Sequence, residues 1–153
     1  MAIALNVLDG RKEFNINGDP NRAIFINTAD VGILQRARKS LQKIESVESE
    51  LRQAENSADV DEETYFSMLE KAQQTAKDAL NTIFAADIAD TVFGMLSPFA
   101  IVKEDGTTYF EAFMDAILPV VERDQQAMQK AAQQSKQRAA KYTNKYAKNG
   151  DAT

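Results

Sequence analysis

The aromatic residues of this chain are concentrated in one stretch, residues 83–122, which holds five of the eight phenylalanines. Aromatic side chains dominate the energetics of protein cores and interfaces, so this stretch is the main packing module of the chain. The sequence on either side is polar and rich in helix-forming residues. It therefore predicts a compact apolar module between long, solvated helices. The five rings are Phe84, Phe93, Phe99, Phe110 and Phe113.

Residue types that interrupt helices or carry catalysis are scarce in this sequence. It has six glycines and three prolines in 153 residues, which leaves few turns and predicts long helices. Histidine and cysteine are absent, which excludes imidazole and thiol catalysis, thiolate zinc sites and disulfide bonds. No acidic loop has calcium-binding spacing. We therefore expect a protein that is not an enzyme and uses no metal or cofactor.

No segment of the sequence predicts secretion or membrane insertion. The first ten residues, MAIALNVLDG, lack a basic leader followed by a long apolar run. No stretch approaches the roughly 18 apolar residues that a membrane span needs. The absence of cysteine fits a reducing compartment. We therefore expect a cytoplasmic protein.

The net charge of −5 is unevenly distributed. Residues 130–153 carry six bases and one acid, whereas residues 1–129 carry twelve bases and twenty-two acids. The acidic body disfavours general binding to nucleic acid. Tyr142 and Tyr146 lie among the lysines of the tail, so stacking on bases stays open as an alternative. A solvated helical tail is the interpretation that the opposite charge of the body favours.

The first part of the chain predicts three short strands. Large apolar side chains recur at every second position in residues 3–8 and in residues 13–17. Asp9-Gly10 between these two segments is a tight-turn signal. A second turn at residues 18–20 leads to a third candidate strand, residues 22–26. These strands would form an antiparallel meander, which needs a helix or a neighbouring subunit to pack on. The alternative is that only the first hairpin forms and residues 22–26 are an extended lead-in.

Two amphipathic helices are predicted next, joined by an acidic loop into an antiparallel hairpin. The first runs from Ala29 to about Ala54 with Thr28 as its N-cap, and the second starts near Asp61. The apolar stripe of the first helix is narrow, so it packs either on the second helix or on a second copy in a dimer. The first stripe is Val31, Leu34, Leu41, Ile44, Val47 and Leu51, and the second is Tyr65, Met68, Leu69, Ala72, Ala76, Leu80, Ile83 and Phe84.

A short helix and a long helix complete the predicted fold. Asp87 caps the short helix, which ends at Gly94 in a left-handed conformation. Thr108 and Glu111 have the spacing of a capping box at the start of the long helix. Pro119 is expected to kink that helix. Its buried face is Phe110, Phe113, Met114, Ile117, Leu118 and Val121.

The predicted fold class is mainly α with a small N-terminal antiparallel β meander (α+β). A helical hairpin is followed by a small helical module and a long C-terminal helix. Three regions follow from this assignment: the meander at residues 1–27, a helical domain at residues 28–128, and a basic, partly disordered helical tail at residues 129–153. The last five residues, 149–153, are expected to be disordered.

The apolar module offers the candidate binding site. Its rings either form the core of a small domain, or some of them line an exposed groove around the breaks at Gly94 and Pro98. A groove of that kind accepts an apolar helix of a partner protein. The candidate partner-binding residues are Phe84, Val92, Phe93, Met95, Leu96, Phe99, Phe110, Phe113, Met114 and Ile117.

Three segments of the module resemble a known protein family. They are residues 82–87 (TIFAAD), residues 89–94 (ADTVFG) followed by residues 97–98 (SP), and residues 113–117 (FMDAI). These segments are similar to the C-terminal half of tail assembly chaperones of long-tailed (siphovirus-like) phages and prophages of Gram-positive bacteria. The order of the chain also resembles that family: short strands that include residues 13–17, then charged helices, a small helical module and a Lys/Gln/Ala-rich tail.

The resemblance implies a non-enzymatic accessory protein that acts in the host cytoplasm and is absent from the mature virion. Chaperones of this family bind and shield the helical tape measure protein before the tail tube polymerises. The implied partners are therefore the tape measure protein and, as a further candidate, the tail tube protein. Self-association into a homo-oligomer is a further expectation, whereas no small molecule, membrane or nucleic acid is expected as a partner.

Two other functions stay open at this point. The chain could be a structural component of the phage particle, such as a connector or a minor tail protein. It could also be a nucleic-acid-associated regulator that uses the basic tail, in which case binding would depend strongly on salt.

Overall fold

The fold is mainly helical, with a small antiparallel sheet near the N-terminus and a long C-terminal helix, as the sequence predicts. The computed structural model describes residues 1–151, with side chains up to residue 144. About 63% of the chain is helical. The elements in chain order are β1 (Lys12–Asn15), a 3-10 turn (Ile16–Gly18), β2 (Ala23–Ile26), α1 (Gly32–Glu55), α2 (Glu62–Phe84), α3 (Ala89–Phe93) and α4 (Tyr109–Asp151).

The sheet of the described residues has two strands and is built from the second and third predicted strands. β1 pairs antiparallel with β2 in a register that joins Lys12 to Ile26. Residues 3–8 form no strand, so the three-stranded meander is wrong, and so is the alternative that kept only the first hairpin. The physical reason lies at Asp9, whose carbonyl oxygen accepts a hydrogen bond of 2.9 Å from Asn27 Nδ2. This bond ties the predicted turn to the residue that follows β2, and the turn that would bring residues 3–8 back along β1 does not form.

Two polar anchors hold the sheet, one at each end. At the start of β2, the guanidinium of Arg22 donates to the carbonyl oxygen of Val92 at 2.6 Å and to the Tyr109 hydroxyl at 3.1 Å. Beyond the other end of β2, the Thr28 hydroxyl donates to the buried carboxylate of Asp124 on α4. Lys12 Nζ on β1 lies 3.2 Å from the same carboxylate. The sheet is therefore fixed to α3 and to α4.

Helix α1 starts later than predicted, and the first part of its predicted stripe is wrong, whereas Ile44 and Leu51 are buried as predicted. Thr28 does not cap it, because the Thr28 hydroxyl is used by Asp124. Val31 and Leu34, which were assigned to the buried stripe, are 83% and 47% exposed. The physical reason is close packing of α1 against α2, where small side chains are buried at the contact. The buried residues of α1 are Ile33, Ala37, Ile44, Leu51 and Ala54, and those of α2 are Ala72, Ala76, Ala79, Leu80, Ile83 and Phe84.

Three of the predicted helix ends are confirmed. The Asp61 carboxylate accepts from the backbone N–H of Thr64 at 2.8 Å at the start of α2. At the start of α4, the backbone N–H of Glu111 donates to the Thr108 hydroxyl at 3.2 Å, and Glu111 reaches back to Thr108. Gly94 ends α3 as predicted, with a φ of +58°, although its ψ of −127° differs from the left-handed helical conformation that was expected.

The predicted cap at Asp87 is wrong. The backbone N–H groups of Ile88 and Ala89 instead donate to the side-chain oxygen of Asn81, each at 2.8 Å. Asn81 belongs to the last turn of α2, so one side chain fixes the angle between two helices. The first N–H groups of a helix need acceptors, which a residue next to the helix in sequence usually supplies. For α3 the acceptor is Asn81 of α2, and we call this arrangement a tertiary cap.

The core of the helical module is aromatic. The Phe93 ring is stacked on Phe110 with centroids 6.2 Å apart and meets Tyr109 at 5.7 Å in an edge arrangement. Phe84 meets Phe113 edge to face at 5.9 Å. Pairs of this kind contribute about 0.5–1.5 kcal/mol beyond the burial of their area.

Helix α4 passes through Pro119 and continues to Asp151. Pro119 therefore does not end the helix, and the kink expected there stays a prediction. No side chain between Gln126 and Asn144 is buried, in agreement with the lack of apolar residues in this part of the sequence. Residues 149–151, for which disorder was predicted, belong to α4, whereas Ala152 and Thr153 lie outside the described residues.

We predict that Asp124 makes the fold sensitive to acid. Hydrogen bonding from Thr28 holds the pKa of Asp124 below its ordinary value, with smaller contributions from Lys12 and Arg123. A carboxyl group with a lowered folded pKa stabilises the protein fully above its unfolded pKa of about 3.9, and this contribution is lost as the pH falls through the folded value. Asp124→Asn should therefore reduce the free energy of unfolding by about 1.5–3 kcal/mol at pH 7.

Urea unfolding measured from pH 7 down to pH 2 tests this prediction. The difference between Asp124→Asn and the unchanged protein should shrink below about pH 4. The exposed acid Asp115 on the same helix is the control, and Asp115→Asn should have little effect at any pH. A difference that stays constant over the whole range would contradict the role given to the Asp124 carboxylate.

We also predict that Asn81 holds α3 in place. Asn81→Ala removes the acceptor for two backbone N–H groups and should lower the free energy of unfolding by about 1–2 kcal/mol. The neighbouring exposed residue Thr82 is the control, and Thr82→Ala should change it by less than about 0.5 kcal/mol. Thermal unfolding followed by circular dichroism separates the two, and equal effects would refute the tertiary cap.

Candidate functional site

The ten candidate residues do not form one groove. Six of them are buried in the core, so the rings of Phe84, Phe93 and Phe110 are sealed from solvent. Two are half-buried and two are exposed. The physical reason is the aromatic packing described above, which closes α3 onto the start of α4. The buried residues are Phe84, Val92, Phe93, Phe110, Met114 and Ile117, the half-buried ones are Phe99 and Phe113, and the exposed ones are Met95 and Leu96.

An open trough lies along one side of α1. Two cavities of about 440 Å³ and 330 Å³ adjoin there, and Glu48 and Arg52 line both of them. These two side chains form an ion pair of 2.9 Å. We call this surface the α1 trough. Its apolar lining residues are Leu41, Ile44, Leu51, Tyr65, Leu69, Phe99, Ala100, Ile101 and Phe110.

The α1 trough has the length of a short helix. Its lining extends along α1 from Leu41 to Glu55. At about 1.5 Å of rise per residue, this is roughly 21 Å, or about four helical turns. The floor is the outer side of the core, because Ile44 and Phe110 are both buried. A partner would therefore meet a surface that is already packed.

Acidic side chains surround the α1 trough. Glu45, Glu48 and Glu55 project from α1 and Glu111 from α4, whereas Arg52 is the base in the lining. Arg52 is already paired with Glu48. The potential over the apolar floor is thus negative, and it favours an occupant with bases beside its apolar face.

A second apolar surface lies beside the sheet. A groove of about 350 Å³ opens between β1 and α4, and we call it the edge groove. Its lining is mostly apolar and includes the candidate residues Phe113 and Ile117. The full lining is Phe14, Asn15, Ile16, Asn17, Ile24, Val102, Tyr109, Ala112, Phe113, Ala116, Ile117 and Val120.

The edge groove lies next to unpaired backbone. β1 has β2 on one side and no strand on the other among the described residues. The hydrogen bond from Ile16 N to Arg22 O, 2.9 Å long, continues the register of the ladder. Because the bonding direction alternates along an antiparallel strand, the backbone groups of Glu13 and Asn15 point away from β2. The edge groove therefore combines free hydrogen-bonding groups with an apolar floor.

The sequence signals for these two surfaces were weak. The alternation of Phe14 and Ile16 indicated that they share one face, but it did not show that α4 completes a groove there. Leu41, Tyr65 and Leu69 were assigned to the stripes between α1 and α2, and they also line the trough. The sequence pattern does not show that the segment from Ser97 to Ile101 lines the far side of the trough beside Leu51 and Glu55.

Neither a metal-binding cluster nor a membrane-spanning helix is found in the part of the chain that is described. Among residues 1–151, no cluster of three or more acidic side chains is arranged to hold a metal ion. None of the helices there combines the length and the hydrophobicity that a membrane crossing requires.

Comparisons with protein-family models, with curated proteins and with solved structures find no match for this chain.

Proposed function

We propose that this protein is a tail assembly chaperone of a long-tailed phage or prophage, and that it binds the helical tape measure protein without chemical catalysis. The observation that carries the proposal is the α1 trough, an open surface of helix length in which apolar side chains lie among acidic ones. The resemblance of residues 82–87, 89–94, 97–98 and 113–117 to such chaperones supplies the identity of the partner. The proposed place of action is the host cytoplasm, before the virion is complete.

The shape of the trough favours a helical occupant. Amphipathic helices bind in apolar grooves through residues spaced three and four apart, and a groove of about four turns accepts several of them. No unpaired strand borders the α1 trough along α1 or α2, so an extended peptide gains no backbone pairing from these helices. A long helical protein that exposes apolar faces aggregates in water, and covering such a face prevents this.

The acidic rim defines the chemistry of the bound helix. Glu45, Glu48, Glu55 and Glu111 surround the floor, so the complementary helix has an apolar stripe with Lys or Arg on both flanks. Added salt should lower the rate of association with such a helix, because the rim carboxylates are exposed and salt ions screen their charge.

We predict that Ile101→Glu strongly weakens this binding. Ile101 is 70% exposed on the far side of the trough, so a charge there leaves the core intact and places an unpaired acid in the contact. The affinity for a tape measure fragment should fall by about tenfold or more. The control is Val31→Glu, a similar change at an exposed residue outside the trough.

Co-expression and titration measure the effect. The unchanged protein and Val31→Glu should keep the fragment soluble, and Ile101→Glu should not. If all three proteins behave alike, or if the unchanged protein leaves the fragment insoluble, the proposed function is wrong.

Reversing rim charges is predicted to weaken binding without changing the fold. Glu45→Lys and Glu55→Lys alter exposed side chains, so stability should change by less than about 0.5 kcal/mol. The affinity for a helix with basic flanks should fall several-fold at low salt, and the difference should vanish at high salt. Fluorescence anisotropy with a labelled amphipathic peptide measures both effects, and an unchanged affinity at low salt would refute the role of the rim.

A structural particle component is the second candidate. The unpaired edge of β1 favours repeated contact between copies, which a connector or minor tail protein also needs. Mass spectrometry of purified particles separates the two functions, because a chaperone leaves the particle and a structural component remains.

A further inference from the structure

The N-terminal segment, residues 1–8, is apolar and unprotected. It belongs to no strand or helix, and all eight of its residues are exposed. Ile3, Leu5 and Val7 are 79–87% exposed, and Leu8 is fully exposed. Contiguous apolar surface of this kind marks an interaction site in a folded protein.

The sequence of this segment suits a strand. Ile3, Leu5 and Val7 lie at every second position, so in an extended conformation their side chains share one face. The segment carries no charged side chain before Asp9. This alternation is the pattern of a strand that buries one of its two faces.

The edge groove is the complementary surface on the same molecule. Glu13 and Asn15 offer unpaired backbone groups along β1, and the apolar floor lies directly beside them. A strand added to β1 would direct every second side chain toward α4, as Phe14 of β1 does. Such strand addition takes affinity from the backbone pairing and specificity from the pockets.

The chain's own segment is directed elsewhere. The Asp9 carbonyl oxygen is held by Asn27, which follows β2 on the side away from the free edge of β1. Gly10 packs on the same side chain, since a Cβ added at Gly10 would lie 2.7 Å from Asn27 Nδ2. The segment pairs with neither strand, and the edge groove of its own molecule stays open.

We propose that residues 3–8 of one copy add as a third strand to β1 of a second copy, with Ile3, Leu5 and Val7 in the edge groove. The two surfaces of this contact are different, so a copy that donates its segment can still accept one. Copies therefore join one after another. This inference does not depend on the proposed function, because the α1 trough takes no part in the contact.

Two variants with one defect each provide the test. Leu5→Lys damages the segment and leaves the edge groove intact. Ala116→Glu places a charge at an exposed position in the edge groove and leaves the segment intact. Neither residue belongs to the core, so both variants should fold, as circular dichroism can verify. Leu34→Lys, at an exposed leucine outside both surfaces, is the matched control.

Sedimentation velocity from micromolar to millimolar concentration gives the readout. The unchanged protein and Leu34→Lys should self-associate with rising concentration, and each of the two defective variants should sediment as a monomer. An equal mixture of the two should form a dimer, because one intact segment meets one intact groove and no further copy can join. In the associated state, the amide protons of Glu13 and Asn15 should exchange more slowly than in the Leu5→Lys monomer.

Several outcomes would overturn the proposal. The proposal is wrong if the unchanged protein is monomeric at every concentration, or if the mixture of the two variants stays monomeric. It is also wrong if either variant alone still self-associates. Slow exchange of the two amides in a monomeric unchanged protein would show that the chain fills its own groove, which also overturns it. The proposed function is measured separately, since Leu5→Lys monomers should still bind the amphipathic helix in the α1 trough.

Discussion

The buried carboxylate of Asp124 fixes how the sheet sits on the helices. The Thr28 hydroxyl and the Lys12 ammonium both donate hydrogen bonds to this carboxylate of α4. Arg22 attaches the opposite end of the sheet to α3. A two-stranded hairpin is marginal in water without such support. Because both anchors act near the ends of the sheet and α3 packs on β2, the outer edge of β1 is left uncovered. The edge groove is thus a consequence of how the sheet is attached.

The aromatic core sets the position of the other surface. Phe93 stacks on Phe110 in the first turn of α4, and the chain from Ser97 to Ile101 runs beside α1 and α2 before α4 begins. This segment lines the far side of the α1 trough next to Leu51 and Glu55. Two rings of the candidate list lie in the trough lining, the buried Phe110 and the half-buried Phe99.

Local rules predicted the helix ends well, because a cap such as Asp61 or the Thr108 and Glu111 pair acts within one turn of its own helix. Features that depend on distant residues were missed. Thr28 has the pattern of an N-cap, yet Asp124, far along the chain, takes its hydroxyl. Residues 3–8 have the pattern of a strand, yet they pair with neither β1 nor β2, and Asn27 holds the chain just after them at Asp9. The ten candidate residues were chosen by apolar character, which does not distinguish a core ring from an exposed one.

The outer part of α4 has a physical consequence of its own. Between Gln125 and Asn144 this helix carries Lys130, Lys136, Arg138 and Lys141 and no acid, and it extends from a body with excess negative charge. Separated charges of opposite sign give the molecule a large permanent electric dipole along the helix. The electric field of another charged macromolecule rotates such a molecule before the two make contact. The two molecules therefore meet in a preferred orientation, and a larger share of encounters is productive.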